Sequence, residues 1–425
     1  MIYAVIIFTA SLAARIFSLF DTKTGRFFSL RKGEMERIIN YFNDNKKKVL
    51  WFHSASAGEL EQAKPIIEKI RETYPDDLIA ASFFSSSGYD AGLKYKNIDF
   101  CFNLPLDYKK NAKQLLDCIN PHLIVYSKYD VWTNLTIEAG KKGVRLVLIS
   151  ATLPEKSLRH RLPFNFFFRR SYSLLKRIYA ISEADAERFR KITGDKTGGG
   201  IVVTGDTRFD RVKTVISREN RERDYIINKE EGCLYIVAGS TYKSSEIILI
   251  DALRMLDKSS DNARLIFVPH EIDHKNICRL KKMIQSSGFT PVLYSGSDIP
   301  VQLNNNDILI VDAFGILAHL YREADIVFIG GSYKGSIHSV LEPAIFGKPL
   351  LSGPRINNSY EAIKLMEIHG LRICVNSKEL AGEIKNLIHD KNLRYKMSQT
   401  VKDFFNDNTG ASEIIFDDMN KSLLI

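Results

Sequence analysis

From residue 48 onward the chain alternates short, continuous apolar runs rich in β-branched residues with longer stretches in which apolar positions recur every three or four residues. Short continuous runs fit strands covered on both faces, and the amphipathic stretches between them fit crossover helices, so the pattern predicts parallel α/β sheets. A first series of strands is predicted at 49–55, 78–84, 100–105, 123–127, 144–150, 178–182 and 201–206. Residues 211–232 are charged and poor in apolar positions for their length, and read as an interdomain connection, partly helical. The alternation then restarts at 233–240, 264–269, 291–294, 307–313, 325–332 and 348–354. From about residue 392 the pattern reads as helix and coil that packs back on the other domain.

Two doubly wound α/β domains in succession, facing a cleft, constitute the GT-B architecture, and ligands of such sheets sit beyond the carboxyl ends of strands. The expected division is an N-terminal segment at 1–22, a first Rossmann-like domain at 23–212, a linker at 213–232 and a second Rossmann-like domain with a C-terminal helix at 233–425. At 425 residues the chain is too long for one compact core, which agrees with two domains. No repeat of 20–50 residues and no low-complexity tract is visible.

Residues 2–20 are apolar except for Arg15 and small polar residues, and Lys23, Arg26, Arg31 and Lys32 follow them. That length spans or lies on a bilayer. A cleaved signal would carry its basic residues first, so the expectation is a retained membrane-anchor helix with the body of the chain on the cytoplasmic side. A buried first helix of a soluble domain is the alternative, since Arg15 sits inside the segment. The formal net charge of +10 favours anionic partners. The chain lacks the signatures of nucleic-acid modules, which leaves anionic lipid and phosphorylated substrates. Five scattered cysteines without CxxC spacing predict free thiols and no cysteine metal site.

Several predicted strand ends carry chemistry. In WFHSASAGEL, Ser56 and Glu59 fit a capping box, and the same Glu59 is suited to act as a general base. YSKYDVWTN sets Lys128 and Asp130 beside Trp132, either as an N-cap and a core indole or as site residues. VTGDTRFD places Arg208 between Asp206 and Asp210, where it is a solvated turn residue or a cation facing the cleft. AGST at 238–241 offers backbone N–H groups to a phosphate.

His270, Glu271 and His274 match HExxH, but Pro269 directly follows a strand and no third ligand follows at the expected spacing, so no metal site is predicted. Residues 312–354 are the richest stretch. Gly330, Gly331 and Ser332 end a strand, a glycine-containing loop follows, and His338 and Glu342 are expected at i, i+4 on a short helix. Residues 162–177 mix four phenylalanines with four basic residues, as a buried helix or a surface for anionic membrane or lipid.

Taken together, HSASAGE, KYDVW, SATL, TGDTRFD, AGST, PHE, FGILAHLY, GGS and HSVLEPAIFGKPLLSGP, in that order over nearly the whole chain, resemble the Kdo (3-deoxy-D-manno-octulosonic acid) transferase family. The resemblance implies an inverting, metal-independent GT-B glycosyltransferase that uses no cofactor. Its donor would be CMP-Kdo, its acceptor a lipid A precursor (lipid IVA), and its surroundings inner-membrane lipids, with no nucleic acid. It implies that Glu59 is the base, and that Asp130 and Arg208, where the family usually has glutamate and lysine, support the transition state. Nucleotide contacts would come from Pro269 and His270, from Phe314, Gly315 and Ile316, and from Ser339, Val340, Leu341 and Glu342, with His338 adjacent.

The sequence departs from the family where PRH reads PHE, MGE reads FGI and HNPLE reads HSVLE. The first change removes an arginine's bidentate grip on phosphate. These departures keep open a GT-B enzyme using a UDP-sugar and a lipid acceptor. A zinc peptidase on HEIDH is the remaining rival.

Overall fold

The computed structural model describes residues 3, 9, 21–155, 157, 159, 165–194, 200–219, 225–257, 260–297, 300–422 and 425. All thirteen predicted runs form strands: β1 (Val49–Ser54), β2 (Leu78–Phe83), β3 (Phe100–Asn103), β4 (Leu123–Ser127), β5 (Arg145–Ala151), β6 (Arg177–Ala180), β7 (Ile201–Val203), β8 (Leu234–Thr241), β9 (Ala263–Pro269), β10 (Thr290–Leu293), β11 (Asp307–Ile310), β12 (Ile326–Ile329) and β13 (Leu350–Ser352). A further edge strand, β14 (Leu371–Ile373), is too short for its apolar pattern to stand out.

The strands form two parallel sheets, ordered β3-β2-β1-β4-β5-β6-β7 and β10-β11-β9-β8-β12-β13-β14. Both are doubly wound, the GT-B class. Chain contacts define a first unit of Met1–Arg211 with Thr409–Ile425, and a second unit of Val212–Asn408.

In the first unit, β1 sends Leu50 and Phe52 to one face and Val49 and Trp51 to the other. Every residue of β1 is buried, because helices cover both faces. In the second unit Ile236, Ala238, Phe267, Ile310 and Phe328 build the corresponding core.

The division expected from sequence changes at two places. The stretch assigned to a linker begins inside the helix Thr207–Glu219, whose residues recur with helical period despite their charge. The final residues return to the first unit instead of completing the second. There Ile415, Phe416 and Met419 of the helix Ala411–Lys421 join the core around Ile66 and Ile67. Asp210 accepts hydrogen bonds from the Gly410 and Ser412 amides at 2.6 and 2.7 Å, and Asp418 accepts from Tyr179 Oη and Arg177 Nε, each at 2.8 Å.

Removing residues 409–425 should therefore destabilise the first unit by roughly 5 kcal/mol or more, taking about 1.5–3 kcal/mol for each of three buried side chains. Calorimetry of the truncated chain would show this as a lowered transition; an unchanged profile would contradict this packing.

The anchor predicted at 1–22 falls mostly outside the described residues. Among the described residues no helix is long and apolar enough to cross a membrane. Tyr3 donates its hydroxyl to Asp107 at 2.8 Å. Two of the basic residues following the segment are engaged by the first unit. Arg26 pairs with Asp90 at 2.8 Å, and Arg31 donates to the carbonyls of Phe27, Phe84 and Leu104.

Candidate functional site

Parallel sheets collect ligands where the strand order reverses, because loops from the two adjacent strands diverge there and leave a crevice at the carboxyl edge. In the first unit that point lies between β1 and β4. The side chains following these strands converge.

Glu59 lies in the first turn of the helix Ala57–Thr73 and is 7 % exposed. Its Oε2 accepts from the Ala55 amide at 2.5 Å, so the carboxylate is turned back over the end of β1. The capping box expected with Ser56 does not form, because the Ser56 hydroxyl makes no cap hydrogen bond. Burial and the negative charge of Asp130 raise the Glu59 pKa, outweighing the Ala55 hydrogen bond and the nearby His53 and Lys128.

Asp130 does not cap the helix Thr133–Lys141. That task belongs to Asp107, which accepts from the Asn134 and Leu135 amides at 2.8 and 2.9 Å. Asp130 is thereby left beside His53 Nε2 (3.5 Å) and the Arg159 guanidinium (3.6 Å). Burial would raise its pKa, but hydrogen bonding and the nearby Arg159 cation hold it below the ordinary value. Lys128, between the two loops, has φ +67°, a left-handed conformation that costs on the order of 1–3 kcal/mol in a residue with a side chain.

Arg208 sits beyond β7 and is 40 % exposed, with its guanidinium on Asp206 at 2.6–2.8 Å. Asp206 in turn meets Gln62, one turn along the helix from Glu59, at 3.4 Å. Glu59, Asp130 and Lys128 thus form one electrostatic cluster, and Arg208 joins the same helix through Asp206.

In the second unit the order reverses between β8 and β12. These strands approach so closely that a Cβ on Gly330 would lie 2.1 Å from the Ser240 carbonyl oxygen. Gly331 has φ +89°, and a Cβ there would meet the Ser336 carbonyl at 2.2 Å. Only glycines allow this turn, which brings three rings together at the sheet edge. Tyr242, His270 and His338 stack with centroids 4.7–5.6 Å apart, and Lys334 lies 3.9 Å above the Tyr242 ring. Burial and the neighbouring His270 lower the His338 pKa.

His338 is not on a helix with Glu342, as the spacing suggested. The helix is only Leu341–Ala344, and His338 and Ser339 lie in the loop before it, because the His338 amide turns back to the Gly330 carbonyl at 3.2 Å. Pro269 ends β9 and His270 follows it. Phe314, 80 % exposed, precedes Gly315 (φ +80°) and buried Ile316 in the loop after β11. Because β11, β9, β8 and β12 are parallel neighbours, these loops share one edge. The HExxH pattern is split, since His270 stacks at a strand end while His274 opens the helix His274–Ser286 and meets Cys278.

A cavity of about 450 Å³ opens on the same edge, lined in part by Tyr242, Lys243, Arg279, Lys334, Pro269 and Glu271. Arg279 pairs at 2.6 Å with Glu246, which is only 1 % exposed. Its other terminal nitrogen, Nη1, is buried without a hydrogen-bond partner among the described residues. Sequence reading missed Arg279, which looks like one more basic residue on an amphipathic helix. It also missed His53, which looks like a strand residue, and Tyr242, whose only signal was its place directly after AGST.

A family model described as 3-Deoxy-D-manno-octulosonic-acid transferase (kdotransferase) matches residues 32–211. A 3-deoxy-D-manno-octulosonic acid transferase of Chlamydia muridarum is 28 % identical over 372 residues, covering 86 % of this chain and 83 % of that protein. One from Chlamydophila psittaci is 28 % identical over 347 residues, covering 80 % and 77 %. Among solved structures, the UDP-GlcNAc 2-epimerase of Neisseria meningitidis bound to UDP-GlcNAc superposes with a TM-score of 0.59 at 14 % identity, covering 88 % of this chain and all of that one. That likeness identifies the two-domain fold.

Proposed function

We propose that the chain is a glycosyltransferase of the 3-deoxy-D-manno-octulosonic-acid (Kdo) transferase family, as the match over residues 32–211 and the 28 % identical relatives support, and that it transfers Kdo from CMP-Kdo to a hydroxyl of a lipid A precursor, with inversion at the anomeric carbon. Glu59 takes the proton of the attacking hydroxyl, the hydroxyl oxygen bonds to the anomeric carbon, and CMP departs with the electrons of the broken bond. A carboxyl whose pKa is raised by burial is suited to this, because it accepts a proton more readily than an exposed one.

The observation that carries this reading is the convergence of Glu59, Asp130 and Lys128 at the strand-order reversal of the first unit. In the second unit, Lys243, Lys334 and Arg279 line the cavity and meet the donor phosphate without a metal, while Phe314–Ile316 and Ser339–Glu342, outside that lining, hold the nucleoside as the family resemblance implies. Arg208 offsets negative charge as CMP leaves. The acceptor's lipid character and the apolar residues 2–20 further support action at the cytoplasmic face of the inner membrane.

The departures in the nucleotide loops make donor choice the point to test. At 100 times its Kd a nucleotide stabilises its protein by about 2.7 kcal/mol. CMP is expected to raise Tm by several degrees at a concentration where UDP does not. A shift with UDP and none with CMP would assign the site to a UDP-sugar.

A further inference from the structure

His53 is fully buried at the end of β1, and nothing in the transfer chemistry above uses it. Its Nδ1 lies 2.8 Å from Ser82 Oγ, and its Nε2 lies 2.8 Å from Trp132 Nε1. An indole N–H only donates, so Nε2 must accept and carries no proton. The proton of the neutral ring is then on Nδ1 and goes to Ser82 Oγ, which also accepts from Trp51 Nε1 at 2.8 Å. Asp130 Oδ2, at 3.5 Å from Nε2, is beyond good hydrogen-bond length, so the indole holds the lone pair.

The charged and titratable groups facing the ring come from several elements. They are Glu59 at the start of its helix, Asp130 after β4, Asp107 before the helix Lys109–Ile119, and Tyr126 on β4 with its centroid 6.2 Å away. Acidic groups dominate this set, yet the indole bond requires the ring to be neutral.

We infer that His53 is a positioning residue of the acceptor site, held as the Nδ1–H tautomer so that its Nε2 anchors Trp132 and thereby fixes Asp130 beside Glu59. Trp132 and Asp130 are two residues apart on the loop after β4, so pinning the indole pins the carboxylate. A proton on Nε2 would release Trp132 and point an N–H at Asp130. Besides changing the Asp130 geometry, that would add a positive charge next to the base. Turnover accordingly depends on the Nε2 lone pair holding Trp132 as well as on Glu59 being ionised. The inference rests on the transferase reading for its kinetic arm only.

Two variants separate positioning from support of the core. Glutamine places an amide oxygen near the Nε2 position and keeps an acceptor for Trp132, whereas asparagine places its amide near Nδ1 and keeps only the Ser82 contact. H53Q should retain kcat within about threefold. H53N should lose about 100-fold in kcat with little change in the KM of the donor, the scale expected when a reacting group is displaced by about 1 Å. If H53N is active and H53Q is not, the Ser82 contact is what matters and the inference is overturned. Melting curves of both variants identify any that fail to fold.

Nitrogen-15 histidine spectra of the intact wild-type chain, assigned by difference against H53Q, read the tautomer without any substrate. A proton on Nδ1 and none on Nε2 is expected, and a proton on Nε2 overturns the inference. Absence of transfer from CMP-Kdo by the wild type, with the expected spectrum, would count against the transferase reading alone.

Discussion

Glu59→Gln is expected to lower transfer by about 10³-fold or more while leaving CMP binding unchanged. A positioned general base contributes roughly 10²–10⁴-fold, and glutamine keeps the shape and the acceptor for the Ala55 amide while removing the basic site. The same substitution should make the protein more stable at neutral pH. The folded-state pKa of Glu59 is raised, so folding favours its protonated form. Its stabilising contribution is fully present below the unfolded pKa and is lost as pH rises through the folded value. Above that window the ionised, buried carboxylate weakens the fold, and a neutral amide relieves it. Melting curves should show Glu59→Gln above wild type by roughly 2–4 °C at pH 8, on the order of 1 kcal/mol, with the gap closing as pH falls toward 4. Appreciable residual transfer, or a loss of stability at pH 8, would remove Glu59 from the role of buried base.

Arg279→Ala should produce the largest loss of stability of any single substitution considered. Glu246 is almost wholly buried and has the Arg279 guanidinium as its charged partner, with Thr241 contributing a longer contact of 3.3 Å. Removing the cation leaves an uncompensated carboxylate, which costs about 3–5 kcal/mol. The Glu246 pKa is already raised by burial against the pull of Arg279, and it would rise further without it. The deficit is therefore greatest above that raised pKa and shrinks as acid protonates the carboxyl. CMP affinity should also fall by about 10-fold or more, the worth of one hydrogen bond from a charged donor. The double variant Glu246→Gln with Arg279→Ala distinguishes the two effects. It should recover the melting temperature and not the affinity. Recovery of both would show that Arg279 serves only its buried partner.

The sheets were legible because strands covered on both faces read as continuous apolar runs, and glycine-rich or polar stretches mark their carboxyl ends. β14 was not, since three residues at an edge give too short a run. The tail's return to the first unit was legible only in outline. Its partners, Asp210 and Asp418, look like ordinary helical acids until the chain is folded. At the site, Glu59 and the glycines near β12 stood out because their types and positions are unusual. His53 and Arg279 did not, because their importance comes from what faces them across the fold. The expected pairing of His338 with Glu342 assumed helical spacing, and the Gly330–Gly331 turn instead held His338 in the preceding loop. Likewise Asp130 fitted an N-cap until Asp107, from another loop, took that position.

Kdo transfer with Glu59 as base is tested most directly by mass spectrometry of the full chain incubated with CMP-Kdo and a tetraacylated lipid A precursor. The wild type should yield the precursor heavier by one Kdo together with an equal amount of free CMP, and Glu59→Gln should yield neither. An unchanged precursor with the wild type, or equal product from both proteins, would contradict it.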